Sequence, residues 1–216
     1  FNEVHHKTIG AYWLIAISIK FLGINELAVR LPSVIFSAFS IIAIYQLAKD
    51  MMSKKAALIS SFSLISMPLW FQYSRYASPD IPFSFCIILF VVTLYKIDKR
   101  SVSEYIHINS FISGLSISIA FFIRSLMIAL PLLSLSPFLF CIFGNKSKVN
   151  IKWFLSGVSI GLLPTLYSLY LAYNKYGSEA IYSLFSFAKR QAVGGVFGIS
   201  ILYYPLIILI LSCPVL

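Results

Sequence analysis

The feature that most restricts this chain is a succession of apolar runs, each about as long as a bilayer is thick. Seven of them, roughly 31–48, 56–74, 81–97, 106–123, 125–143, 151–173 and 200–216, contain enough residues to span. A hydrocarbon core of about 30 Å takes about 20 residues of helix. Within it the backbone must satisfy its own hydrogen bonds, which a helix does inside a single segment. Composition agrees: 59% of the 216 residues are hydrophobic and 11% charged, against roughly 45–50% and 25% in soluble domains. The expectation is an all-α, polytopic transmembrane helical bundle forming one domain over 1–216, with about seven membrane spans within 31–216.

One further apolar stretch, 9–22, is too short to cross. It carries Lys20, and Tyr12 and Trp13 lie near its start, so it is expected as an amphipathic helix lying in the interface. The loops 49–55, 96–105 and 144–152 then share one side, and 75–80, 124 and 174–199 the other. Lys49, Lys54, Lys55, Lys96, Lys99, Arg100, Lys146, Lys148 and Lys152 stand on the first side. Arg75, Arg124, Lys175, Lys189 and Arg190 stand on the second. The excess of basic residues assigns the first side to the cytoplasm.

A net charge of +10 would suggest nucleic acid in a soluble protein, but here the cations sit between apolar runs. They read first as topology and second as affinity for anionic lipid. Cys86, Cys141 and Cys213 are far apart and each lies in an apolar run, so they form neither a disulfide framework nor a metal-ligand spacing. The chain has no 20–50-residue repeat and no glycine-rich phosphate loop. It starts at Phe1 without a basic leader and stops inside an apolar run, as expected of a fragment lacking both flanks.

Chemistry is expected on the non-cytoplasmic face, where three unusual groups collect. They are His5-His6-Lys7-Thr8 before Tyr12-Trp13, then Arg75-Tyr76-Ala77-Ser78-Pro79-Asp80, and Arg124 alone between apolar stretches. Asp80, followed by Ile81 and Pro82, is placed either to cap a helix or to serve a polar site as a base or orienting group. Arg124 costs at least about 2.5–3.5 kcal/mol if it lies deep in lipid, so it must snorkel, pair or bind an anion. Lys7 is either a solvated loop cation or part of a site. Two adjacent histidines without a third ligand are a weak metal signal. The loop 174–199, with Lys189 and Arg190 and several glycines, is long enough to be functional.

The wording of these segments resembles a known family. His6-Lys7-Thr8-Ile9-Gly10-Ala11-Tyr12-Trp13-Leu14 is similar to the lysine–proline–proline-leucine…tyrosine–tryptophan-leucine signature of the polyprenyl-phosphate-sugar-dependent glycosyltransferases of GT-C type. These include the aminoarabinose transferases and the protein O-mannosyltransferases. Phe21 to Glu26 followed by Arg30-Leu31-Pro32-Ser33 resembles the stretch leading into the family's second transmembrane helix. Arg75 to Asp80 resembles its arginine-tyrosine-alanine-x-x-aspartate motif. At Ala120-Phe121-Phe122-Ile123-Arg124, relatives commonly carry lysine then glycine, where this chain has Arg124 and Ser125. Thr8 and Ile9 replace the paired prolines, which leaves that loop less rigid. The likeness covers about residues 5–125, and beyond it only Lys189-Arg190 and Tyr203-Tyr204-Pro205 are loosely similar.

The resemblance implies an integral membrane enzyme, in a bacterial inner membrane, with its site on the non-cytoplasmic side. It would move a sugar from a polyprenyl-phosphate donor to a lipid, glycan or protein hydroxyl. The donor is a substrate, and the resemblance names no cofactor and leaves divalent metal open. Asp80 is the implied catalytic or positioning carboxylate. Lys7, His6, Arg75, Tyr76 and Arg124, with Lys189 and Arg190, are candidates for the phosphate. The family's principal acid follows its first transmembrane helix, expected upstream of Phe1. A transporter or flippase of anionic lipid-linked glycans would use the same cations without chemistry.

Overall fold

The computed structural model describes residues 9–99, 103–144, 149–178 and 182. The expected span 200–216 lies outside them, as do His5, His6, Lys7, Lys189 and Arg190. All regular structure among the described residues is helical. The elements are α1 (Gly10–Leu22), α2 (Glu26–Met51), α3 (Lys54–Ser66), α4 (Pro68–Arg75), α5 (Asp80–Lys99) and α6 (Ser103–Arg124). A 3-10 turn (Ser125–Ile128) follows, then α7 (Ala129–Ser134), α8 (Ser136–Gly144) and α9 (Ile151–Tyr176). Among the described residues, four helices are long and apolar enough to cross a membrane: Glu26–Met51, Asp80–Lys99, Tyr105–Arg124 and Ile151–Tyr176.

Two hydrogen bonds fix the relative direction of the first helices. The Ser33 hydroxyl, early in α2, donates to the Ser78 carbonyl just before α5 (3.4 Å). The Tyr95 hydroxyl, late in α5, donates to the Asp50 carbonyl at the end of α2 (3.3 Å). Helices α2 and α5 therefore run side by side in the same direction, and α3 with α4 carries the chain back between them. The expected single span over 56–74 is thus a broken return. Met67 is extended (φ −65°, ψ 120°) and Pro68 opens α4, because a residue before proline avoids the helical region and proline has no N–H to continue the ladder.

The stretch 125–143 is broken in the same way, at Ser125 (φ 52°) and between α7 and α8, with Pro131 and Pro137 inside it. Helices α6 and α9 then lie parallel. The Asn150 amide donates to Ser110 Oγ (3.1 Å) at one level, and Ser118 Oγ donates to the Val158 carbonyl (3.0 Å) further along. Glycines let these two backbones meet. A Cβ on Gly157 would press into the Phe111 carbonyl, and one on Gly114 into that of Phe154. Small residues play this part in membranes, where lipid removes the hydrophobic drive between helices and close packing replaces it.

Burial differs from that of a water-soluble domain: beside an apolar core that includes Phe90, Leu94 and Ile97, many hydroxyls lie inside and many large apolar side chains outside. Ser33, Ser37, Ser40, Ser61, Ser110, Ser113, Ser116 and Ser118 are buried, whereas Phe21, Ile24, Leu58, Phe62, Leu130 and Leu163 are exposed. Several of these hydroxyls bond carbonyls one turn back, as Ser40 does to Phe36 (2.8 Å) and Ser61 to Ala57 (2.8 Å), while Ser33, Ser37 and Ser110 bond to Ser78, Trp70 and Asn150 on neighbouring segments, so these buried hydroxyls have partners. Helix α1 likewise keeps its small residues inside, although Ser18 Oγ is buried there without a hydrogen-bond partner. It buries Gly10 and Ser18 and turns Tyr12, Ile17 and Phe21 outward, so its apolar face is the outer one. Trp13 packs edge-on against Phe122 near the end of α6 (centroids 5.4 Å apart), which places α1 at the end of the bundle where α6 finishes. Cys86 is buried and packs with Ala120, Ile123 and Ile128.

Candidate functional site

The chain enters α5 through Ser78-Pro79-Asp80. Asp80 is the first helical residue, and the Pro79 carbonyl already accepts from the Phe83 amide (3.1 Å). The Ser78 hydroxyl clamps the aspartate from behind: it donates to Asp80 Oδ2 (2.5 Å) and accepts from the Asp80 amide (3.2 Å). A carboxylate in a first turn is also favoured by the partial positive charge of the helix start. With one oxygen bound to Ser78, the other is directed out of the turn.

That second oxygen meets Arg124. As α5 and α6 are antiparallel, the last residue of α6 comes back to the first of α5, and Arg124 Nη2 forms an ion pair with Asp80 Oδ1. The side chains are 26% and 37% exposed respectively, so the pair is neither fully wet nor sealed in. Arg124 Nε is buried without a hydrogen-bond partner. Of the three expectations for Arg124, snorkelling, pairing or binding an anion, pairing is what the fold provides, and the Asp80 carboxylate serves that pair in addition to any effect on its own helix.

Beside the pair lies a cavity of about 360 Å³. Asp80, Ile81 and Ser84 line it from α5, Arg124 from α6, and Leu69, Trp70 and Tyr73 from α4. The break at Pro68 is what turns this short helix over the start of α5. Trp70 is tied down from behind, its indole N–H donating to Ser37 Oγ on α2 (3.0 Å).

The structure therefore unites two of the expected site residues, Asp80 and Arg124. Arg75 and Tyr76 do not line this cavity: Arg75 is exposed and stacks over the Phe71 ring at 3.9 Å, and Tyr76 is 52% exposed. His6, Lys7, Lys189 and Arg190 fall outside the described residues. Sequence reading missed Trp70, Tyr73 and Ser84. The available signals were Trp70 and Tyr73 one turn apart directly after Pro68, and Ser84 one turn beyond Asp80, on the same helix face. Among the described residues no three His, Cys, Asp or Glu side chains converge on a common point.

Residues 6–173 match the model of the dolichyl-phosphate-mannose-protein mannosyltransferase family. The chain belongs to that family. Within it, the undecaprenyl phosphate-alpha-4-amino-4-deoxy-L-arabinose arabinosyl transferase of Wigglesworthia glossinidia brevipalpis is 30% identical over 152 residues, which is 69% of this chain and 27% of the relative. The protein of the same description from Pseudomonas aeruginosa (strain LESB58) is 33% identical over 102 residues, 44% of this chain and 18% of the relative. The chain thus spans about a quarter or less of these relatives. Among solved structures, ArnT from Cupriavidus metallidurans superposes with a TM-score of 0.73 in its apo state, at 15% identity over 85% of this chain and 34% of that one. The form bound to undecaprenyl phosphate gives 0.68, at 16% identity over 79% and 32%. The membrane fold of that transferase is the fold seen here.

Proposed function

We propose that this chain is part of a membrane glycosyltransferase that takes a sugar from a polyprenyl-phosphate donor, with the Asp80–Arg124 pair and the adjoining cavity forming part of its active site. The observation carrying this reading is the convergence of Asp80 and Arg124, 44 positions apart in the chain (124 − 80), at one partly open cavity at the end of the bundle where α1 also lies. Family membership supports the choice of donor class. The names of the relatives make undecaprenyl-phosphate-linked 4-amino-4-deoxy-arabinose the first donor to test.

In such a transfer an acceptor hydroxyl attacks the anomeric carbon, the bond from that carbon to the phosphate oxygen breaks, and the lipid phosphate departs. A carboxylate takes the hydroxyl proton, and cations stabilise the charge on the leaving phosphate. Arg124 suits the second task, since guanidinium presents several donors and its Nε–H has no partner here. Asp80 holds that guanidinium and is the cavity's carboxylate among the described residues. Lys7, His6, Arg75, Tyr76, Lys189 and Arg190 are the further phosphate candidates of this reading, and the cavity faces the non-cytoplasmic side of a bacterial inner membrane.

The test is transfer from undecaprenyl-phosphate-linked aminoarabinose and hexoses in membranes containing the wild-type protein, Asp80→Asn or Arg124→Gln. Both variants should insert normally and lose at least about a hundredfold in rate, in the range of removing one stabilising donor. Full activity in both would overturn the assignment. Movement of donor across the bilayer without any glycosylated product would assign the same cations to a flippase.

A further inference from the structure

Resting on the reading above, we infer that Trp70 and Tyr73 form the wall against which the sugar ring of the lipid-linked donor is held, with Ser37 fixing the orientation of Trp70. The cavity has two chemically different sides. Asp80, Ser84 and Arg124 supply a carboxylate, a hydroxyl and a guanidinium, while α4 supplies an indole and a phenol. A sugar ring has the matching asymmetry: hydroxyls around its rim, and patches of C–H bonds on its faces that carry slight positive charge. The face of an aromatic ring carries the negative part of its quadrupole, so C–H faces settle on it while the rim finds charged partners. A volume of about 360 Å³ is near the lower end for small-molecule pockets, the scale of a single ring rather than an oligosaccharide.

The tether on Trp70 separates this role from simple packing. Its indole N–H is bonded to Ser37 Oγ at 3.0 Å, so its one polar atom is satisfied behind the cavity and the carbon surface remains to line it. Helix α4 has eight residues and is cut from α3 at Met67-Pro68, and this bond to α2 is what holds its indole in place. A bare isoprenoid phosphate could also use an apolar wall, through its first isoprene unit. The two occupants are distinguished by whether the wall matters to the sugar-bearing lipid alone.

The experiment compares three probes on the protein in lipid nanodiscs: undecaprenyl phosphate, undecaprenyl-phosphate-linked 4-amino-4-deoxy-arabinose, and an undecaprenyl-phosphate-linked hexose. Wild-type protein should bind at least one sugar-bearing lipid more tightly than the bare phosphate. Trp70→Ala should weaken that preferred lipid about five- to tenfold, the scale of one aromatic contact, and change bare undecaprenyl phosphate less than twofold. Trp70→Phe, which keeps a ring but loses the tether, and Ser37→Ala should each give a smaller loss on the same probe alone. Arg124→Gln should weaken all three probes. Equal weakening of all probes by Trp70→Ala, no weakening of any, or no preference for a sugar-bearing lipid in wild type would each overturn the sugar wall. Arg124→Gln binding every probe as wild type does would instead overturn the phosphate reading beneath it.

Discussion

Gly10 of α1 lies so close to Phe122 of α6 that a methyl group on its Cα would stand 2.6 Å from the Phe122 carbonyl oxygen. Two residues further along α6 is Arg124. The seating of the short N-terminal helix and the position of the cavity's guanidinium are therefore set at one contact. Gly10→Ala should force α1 and α6 apart, weaken the edge-on contact of Trp13 with Phe122 and cost about 1–3 kcal/mol through overpacking. Thermal unfolding in detergent micelles checks the stability, and an unchanged midpoint would show that α1 adapts freely.

The half-exposed Asp80–Arg124 pair predicts strong non-additivity. Asp80→Asn and Arg124→Gln each strand one charged or polar partner near the cavity, so each alone should destabilise. The double variant should recover part of the loss, with a coupling of about 1–2 kcal/mol, between the values for surface and buried pairs. A double-mutant cycle on unfolding midpoints measures it. Strict additivity would mean the two side chains act independently.

At Gly157 the prediction concerns the bundle rather than the site. Its Cβ would press into the Phe111 carbonyl across the α6–α9 interface, and backbone cannot yield as a side-chain tip can. Gly157→Val should lower stability by at least about 2–3 kcal/mol. Leu163→Val, on the exposed outer face of α9, should stay within about 0.5 kcal/mol. Comparing the yields of folded protein from the two variants checks the asymmetry.

Ser125 has φ 52°, the left-handed region that glycine enters most readily. Ser125→Gly should leave the turn after Arg124 intact and be neutral or stabilising by up to about 1 kcal/mol, whereas Ser125→Val, β-branched, should destabilise. Unfolding midpoints of the pair decide the sign. At this departure from the resembled motif, serine stands in the conformation that favours the motif's glycine.

Much of this was legible in the residues. Long runs poor in charge pointed to α2, α5, α6 and α9, since length and hydropathy are what a bilayer selects. The short helix over 9–22 was visible from its length and from Lys20, although not its orientation, because the rule that polar residues face out reverses where lipid is the solvent. Asp80 and Arg124 were found because each is an ionisable group next to apolar surroundings. Their partnership was not, since it depends on α5 and α6 being antiparallel neighbours of matched length. The cavity's aromatic side was missed for a different reason. Hydropathy reads 56–74 as one crossing, and the local effect of Pro68 on Met67 is needed to see that Leu69, Trp70 and Tyr73 turn over the start of α5.

The inward-facing serines of this bundle bear on how such chains diverge. Positions that touch acyl chains are interchangeable among leucine, isoleucine, phenylalanine and valine, because a fluid neighbour accepts any shape. Where two helix backbones meet, as at Gly114 and Gly157, a position admits little beyond serine, glycine and alanine, because a second backbone stands a few ångströms away, although Phe90, Leu94 and Ile97 fill the interior elsewhere. Substitutions will accumulate on the outside while the interior keeps its small residues, so most of the sequence can drift without moving a helix. A bundle held together at a few such backbone contacts can keep its fold through wide divergence of its outer surface, and the superposition at 15% identity and a TM-score of 0.73 is of that kind.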